Sequence, residues 1–198
     1  MNPTLTAHAH APLATRRSAT GIPTGRLGLW WVLASEIVIF GGLLASYVMH
    51  RVGHPDWANQ AMHTNMWIGA FNTLVLLSSS LSAVLAHHAA EQGNSRKAAK
   101  LLVLTAAGGL VFLIVKSFEW THEIREGYTI TSNTFWSFYY TAAGLHALHV
   151  IAGAICILIV AADAAKNREL HRVELVGIYW HFVDIVWIFL FPLLYIAK

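Results

Sequence analysis

Of 198 residues, 56% are hydrophobic and 12% charged, well below the roughly 25% charge of soluble domains, which points to an integral membrane protein. A single cysteine, Cys156, excludes an internal disulfide and a thiolate metal cluster. The formal charge of +3 sits in short loops between apolar runs, a membrane-topology pattern rather than a nucleic-acid-binding patch.

Residues 1–26 read as a flexible basic tail, with prolines at 3, 12 and 23, Arg16, Arg17 and the pair His8 and His10. No small-residue cleavage pattern follows the next apolar run, so the tail is not a signal peptide, and its histidines read as solvated rather than metal-holding. Five apolar runs follow, at about 27–49, 66–86, 98–120, 134–162 and 173–196. Each is long enough to cross a roughly 30 Å hydrocarbon core. The first is interrupted only by Glu36. The second carries Ser78, Ser79, Ser80 and Ser82, whose hydroxyls bond to the preceding helical turn and whose size favours close helix contact.

The third run has Gly108 and Gly109 mid-helix, where a neighbouring backbone can approach. Its tail, from Lys116 onward, reads as interfacial or as a further turn or two of helix, with Lys116 snorkelling to the interface. The fourth holds His146 and His149, and its length requires it to tilt or project beyond the core. The fifth holds His181 and Asp184, three apart on one face, beside Trp180 and Trp187. An Asp at such a depth must turn inward, toward the other helices or internal water. The remaining tryptophans (Trp30, Trp31, Trp57, Trp67, Trp120 and Trp136) read mostly as an interfacial belt. The expected fold is all-α: a tail, then one membrane bundle over 27–198, with no internal repeat.

Nine of the thirteen Lys and Arg residues lie in the tail and in the 87–100 and 163–172 loops. The positive-inside bias therefore predicts a cytoplasmic N-terminus and an outer C-terminus. Rise per residue then brings Glu36, His146, His149, His181 and Asp184 into one central slab, with Glu119 and Glu174 nearer the outer and inner boundaries.

Two histidines at i,i+3 with a third and two carboxylates resemble a metal-ligand inventory, but neither a doubled Glu-x-x-His pattern nor a His-Glu-x-x-His is present. The histidines read first as interhelical hydrogen-bonding groups that fix helix register, as do Asn72 and the serine row. Glu36 and Asp184 stand evenly between that role and a proton or ion route. Neither a hydrolase triad nor a phosphate loop is arguable. By residues alone the field is a transporter or a non-catalytic subunit of a larger membrane complex, and the lack of an inverted repeat speaks against a self-sufficient transporter.

Three strings carry a family resemblance: GLWWVLASEIVIFGG from Gly28, TFWSFYYTAAGLHALHVIAGA from Thr134 and YWHFVDIVWIFLFPLLY from Tyr179. They resemble cytochrome c oxidase subunit III of the haem-copper oxidases, over about residues 23–198. Trp180 to Asp184 with Glu174 seven residues before His181, and His146-x-x-His149-Val150, are the specific motifs. Glu119 falls on the family's acidic position and Glu36 on its buried, carbodiimide-reactive glutamate. Ala147 stands where the usual motif has glycine, which implies a looser local contact. The chain is similar to the five-helix form, which lacks the first helix pair of larger members. Ser35-Glu36, where quinol oxidase subunit III typically has Ser-Asp, favours a cytochrome c oxidase. The quinol enzymes and nitric-oxide-reductase-associated relatives stay as alternatives.

The resemblance implies an accessory subunit without a catalytic centre, haem or copper of its own. It would sit in a bacterial inner membrane against subunit I, with subunit II and other respiratory-complex subunits as further partners. It would bind phospholipid, with Arg96, Lys97, Arg168 and Arg172 as the expected headgroup contacts. It would also sustain proton uptake and guard the enzyme during turnover.

Overall fold

The computed structural model describes residues 24–54 and 57–197, which contain helices and turns and no strand. His8, His10 and most of the expected tail lie outside the described residues. Residues 24–26, expected in the tail, begin the first helix.

The elements are α1 (Thr24–Gly53), the short α2 (Trp57–Ala61), α3 (Met66–Glu91), α4 (Ser95–Arg125), α5 (Thr134–Ala165) and α6 (Arg172–Phe191), which ends in a π-helical turn, Pro192–Ile196. Five helices are long and apolar enough to cross a membrane. Asparagine starts three of them. Asn65, Asn94 and Asn133 each accept backbone N–H groups of the following first turn through the side-chain oxygen, occupying donors a helix leaves open. The tight α3–α4 reversal turns on Gly93 at φ +72°, a backbone conformation that suits a residue without Cβ.

Helices α3, α4, α5 and α6 form a closed ring in which every neighbour is antiparallel, and α1 lies outside the ring along α6, touching α5. Small residues set the spacing. A Cβ built on Gly108 would meet Ser79 Cβ at 2.6 Å, and one on Gly109 would meet the Trp180 ring at 2.6 Å. The expected close approach at the glycine pair is therefore present. Trp180 and Trp187 are buried at 0% and 1% exposure, as their depth implied.

The seam of α1 is narrow: Leu33, Phe40 and Tyr47, spaced by seven, are its buried residues, a heptad stripe. Only 17% of its apolar stretch is buried, against 39% in each of α4, α5 and α6. A large apolar face of α1 is left for lipid or for another chain.

Candidate functional site

Polar contacts fasten α1 at three depths. At its start, Arg26 forms an ion pair with Glu174 at the beginning of α6 (2.6 Å). Halfway along, His149 Nε2 of α5 lies 3.0 Å from Glu36 Oε2, with both side chains 16% exposed. This ion-pair contact departs from hydrogen-bond angles. Near the far end Tyr47 donates its hydroxyl to the Leu193 carbonyl (2.8 Å). The other ring nitrogen of His149 bonds the Leu145 carbonyl of its own helix (2.8 Å), and Phe40 packs edge-on against the ring at 5.2 Å. Glu36 and His149, singled out separately in the sequence, therefore meet.

The other candidates divide. His181 Nδ1 is 2.5 Å from Ser80 Oγ, a cross-ring bond from α6 to α3. Trp180 donates to Ser79 Oγ and Trp187 to Thr73 Oγ1, each across 3.0 Å. Ser78, Ser79 and Ser82 bond carbonyls in their own preceding turns, as their pattern implied. His146 is completely buried, stacked on Trp187 at 5.1 Å with Phe112 edge-on at 5.4 Å. Neither of its nitrogens has a protein partner, and Asp184, itself 3% exposed, has only the Ser80 hydroxyl of α3 beside its carboxylate, outside good hydrogen-bond geometry. Asp184 does turn inward, as expected, and shares that single hydroxyl with His181. Glu174 is held at the boundary by Arg26 and remains partly exposed.

The densest polar cluster was not foreseen. Lys116 does not snorkel: it is 2% exposed and turns into the bundle. It donates to Glu119 (3.0 Å), to the Tyr139 hydroxyl (2.9 Å) and to the Tyr195 hydroxyl in the π-helical turn. Tyr139 in turn donates to Glu123 (2.9 Å), which is also buried. The ammonium also faces the Tyr139 and Tyr195 rings at 4.5 and 5.0 Å. Inward pull by two carboxylates, two hydroxyls and aromatic faces outweighs the short reach to the interface. The available signal was the spacing Lys116, Glu119, Glu123, which puts all three on one face of α4. Trp57 and Trp136, expected in the interfacial belt, are buried. Trp136 instead donates to Gln60 (3.2 Å), and Trp57 stacks on His50 and His54.

At the end where α1 begins, a groove of about 470 Å³ lies between α1, α5 and α6. Cys156, Ile159, Val160 and Val176 give it an apolar wall, and Arg26 and Arg172 stand at its mouth. Arg172 is also tied to Asp163 (3.3 Å) and Glu169 (3.5 Å). Arg96, Lys97 and Arg168 are exposed and stand apart from the groove lining. Among the described residues, no group of three or more His, Cys, Asp or Glu side chains is placed to hold a metal ion.

The sequence profile of the cytochrome c oxidase subunit III family matches residues 13–198. Cytochrome c oxidase subunit 3 of Corynebacterium diphtheriae is 34% identical over 84% of each chain. That of Thermostichus vulcanus is 37% identical over 86% of each. A probable quinol oxidase subunit 3 of Staphylococcus saprophyticus is 30% identical, over 86% of this chain and 87% of its own. With five membrane-type helices and its motif residues placed as above, the chain belongs to the cytochrome c oxidase subunit III family, and so to a haem-copper oxidase complex.

Proposed function

We propose that this chain is a non-catalytic subunit III of a proton-pumping cytochrome c oxidase in a bacterial inner membrane. It holds subunit I in an active state, with the N-terminus on the cytoplasmic side. The observation that carries the supporting role is the Glu36–His149 contact. A mid-membrane carboxylate joins α1 to α5, with Phe40 packed edge-on against the imidazole. Such a pair fixes helix position, which is what a stabilising subunit requires.

The exposed face of α1, with Trp30, Trp31, Ile37 and Val38, suits a partner helix of subunit I or the lipid between them. The groove under Arg26 and Arg172 suits a phospholipid: the arginines attract the anionic headgroup and the apolar walls take an acyl chain. Arg96, Lys97 and Arg168 then attract headgroups at the neighbouring membrane surface. Haem and copper belong to the partner subunits. Ser35-Glu36 and the names of the relatives with 34% and 37% identity support cytochrome c as electron donor.

The test is purification of the complex from native membrane, followed by electron delivery from a reduced c-type cytochrome and, separately, from a quinol. Co-purification with a haem- and copper-containing subunit, phospholipid retained, and turnover with the cytochrome support the reading. Turnover with quinol alone supports the alternative favoured by the Staphylococcus relative. Isolation without a haem-containing partner refutes both.

A further inference from the structure

Trp187 stands at the centre of the four-helix ring. Its indole N–H goes to Thr73 on α3, His146 of α5 stacks on it, Phe112 of α4 meets it edge-on at 4.8 Å, and Lys116 Nζ lies 5.7 Å from its centroid. The pairings Ser80–His181 and Thr73–Trp187 fix the register of α3 against α6. In that register Asn72 lies at the level of Trp187, and Asp184 lies one turn away toward Ser80. Asn72, His146 and Asp184 are 0%, 0% and 3% exposed; the side-chain nitrogens and oxygens of Asn72 and His146 have no protein hydrogen-bond partner, and the Asp184 carboxyl has beside it only the Ser80 hydroxyl, which His181 shares.

Lipid cannot satisfy them, and an amide and an imidazole left unpaired, with a carboxyl group served by one shared hydroxyl, would penalise the fold heavily. Groups of this kind are bridged in folded proteins by buried water, each molecule making about three hydrogen bonds. We propose that the ring encloses ordered water joining Asp184, Asn72 and His146. The hydrated seam runs toward the Lys116 cluster, where Glu119 Oε1 is also buried without a partner.

The seam is one-sided. Toward the end where α1 begins it meets Trp180, against which Gly109 leaves no room for a Cβ and Gly153 only a tight fit, and whose N–H is taken by Ser79. Toward the other end it meets polar groups: Lys116, Glu119, Glu123, Tyr139 and Tyr195. The seam is thus a closed water-holding pocket that can store or exchange protons with that cluster, not a path across the membrane.

Radiolytic hydroxyl-radical footprinting of the intact purified complex tests this, because bound water generates radicals beside the side chains it touches. Trp187 and Trp180 are equally buried, so they serve as an internal pair. The expected result is modification of Trp187 several-fold faster than Trp180, and a fall toward the Trp180 rate in Asn72→Leu. Equal rates in the unaltered complex overturn the proposal, whether or not the variant assembles. So does a high-resolution map in which Asn72, His146 and Asp184 bond one another directly with no water density between them.

Discussion

The Leu145 carbonyl fixes the tautomer of His149. Bonding to it requires a proton on Nδ1, and that leaves Nε2 to face Glu36. The pair needs only one further proton between carboxyl and imidazole, and a glutamine amide can supply a donor in similar space. Glu36→Gln is therefore expected to assemble and to keep most of the initial oxygen-reduction rate, with about 1 kcal/mol lost in stability. Glu36→Ala leaves a cavity and an unpaired imidazole, costs about 2–3 kcal/mol and shortens active life during turnover. Initial oxygen consumption and its decay, measured on both variants, check this. Loss of initial rate in a normally assembled Gln variant would make Glu36 an obligatory proton carrier. Lys116 carries a larger consequence. Lys116→Met removes the ammonium group paired with the buried Glu119, and removing one partner of a buried pair costs about 3–5 kcal/mol. Thermal denaturation of the complex should show a marked loss in Lys116→Met that is partly recovered when Glu119→Gln is added.

Between elements, the controlling distances are at glycines. Gly109→Ala would push a methyl group into Trp180, whose ring is enclosed by α3, α4 and α5 and whose indole is tied to Ser79. The expected cost is about 1–3 kcal/mol, visible as a lower denaturation temperature of the complex. Helix existence and order were legible because an apolar run of membrane length has one structural solution. The ends were less so: α1 and α3 continue beyond their apolar runs, since Arg51 and His88 remain helical after the hydropathy falls, while α4 runs on by the further turn its sequence allowed. Glu36, His149 and the serine row could be placed from depth along each helix. The environment of Lys116 could not, because Tyr139 and Tyr195 reach it from 23 and 79 residues away. Which of two equally central polar groups finds a partner is decided by helix rotation. Hence His181 meets Ser80, whereas His146 meets no protein partner.

For the whole molecule, a four-helix ring closed on itself and a weakly buried α1 outside it leave the outer face of α1 for neighbours in the membrane. The split of basic residues predicts the orientation: a reporter fused after Lys198 is expected outside the cytoplasm, and a cytoplasmic signal would contradict it. The central claim is that this subunit supports catalysis in a neighbouring chain without supplying an obligatory step. The most direct measurement compares the oxidase purified with and without this chain, following oxygen consumption per haem from the first turnovers to inactivation. The account predicts a similar initial rate in both preparations and a much shorter active life without the subunit. An initial rate that collapses at once, with haem content and the remaining subunits intact, would contradict it.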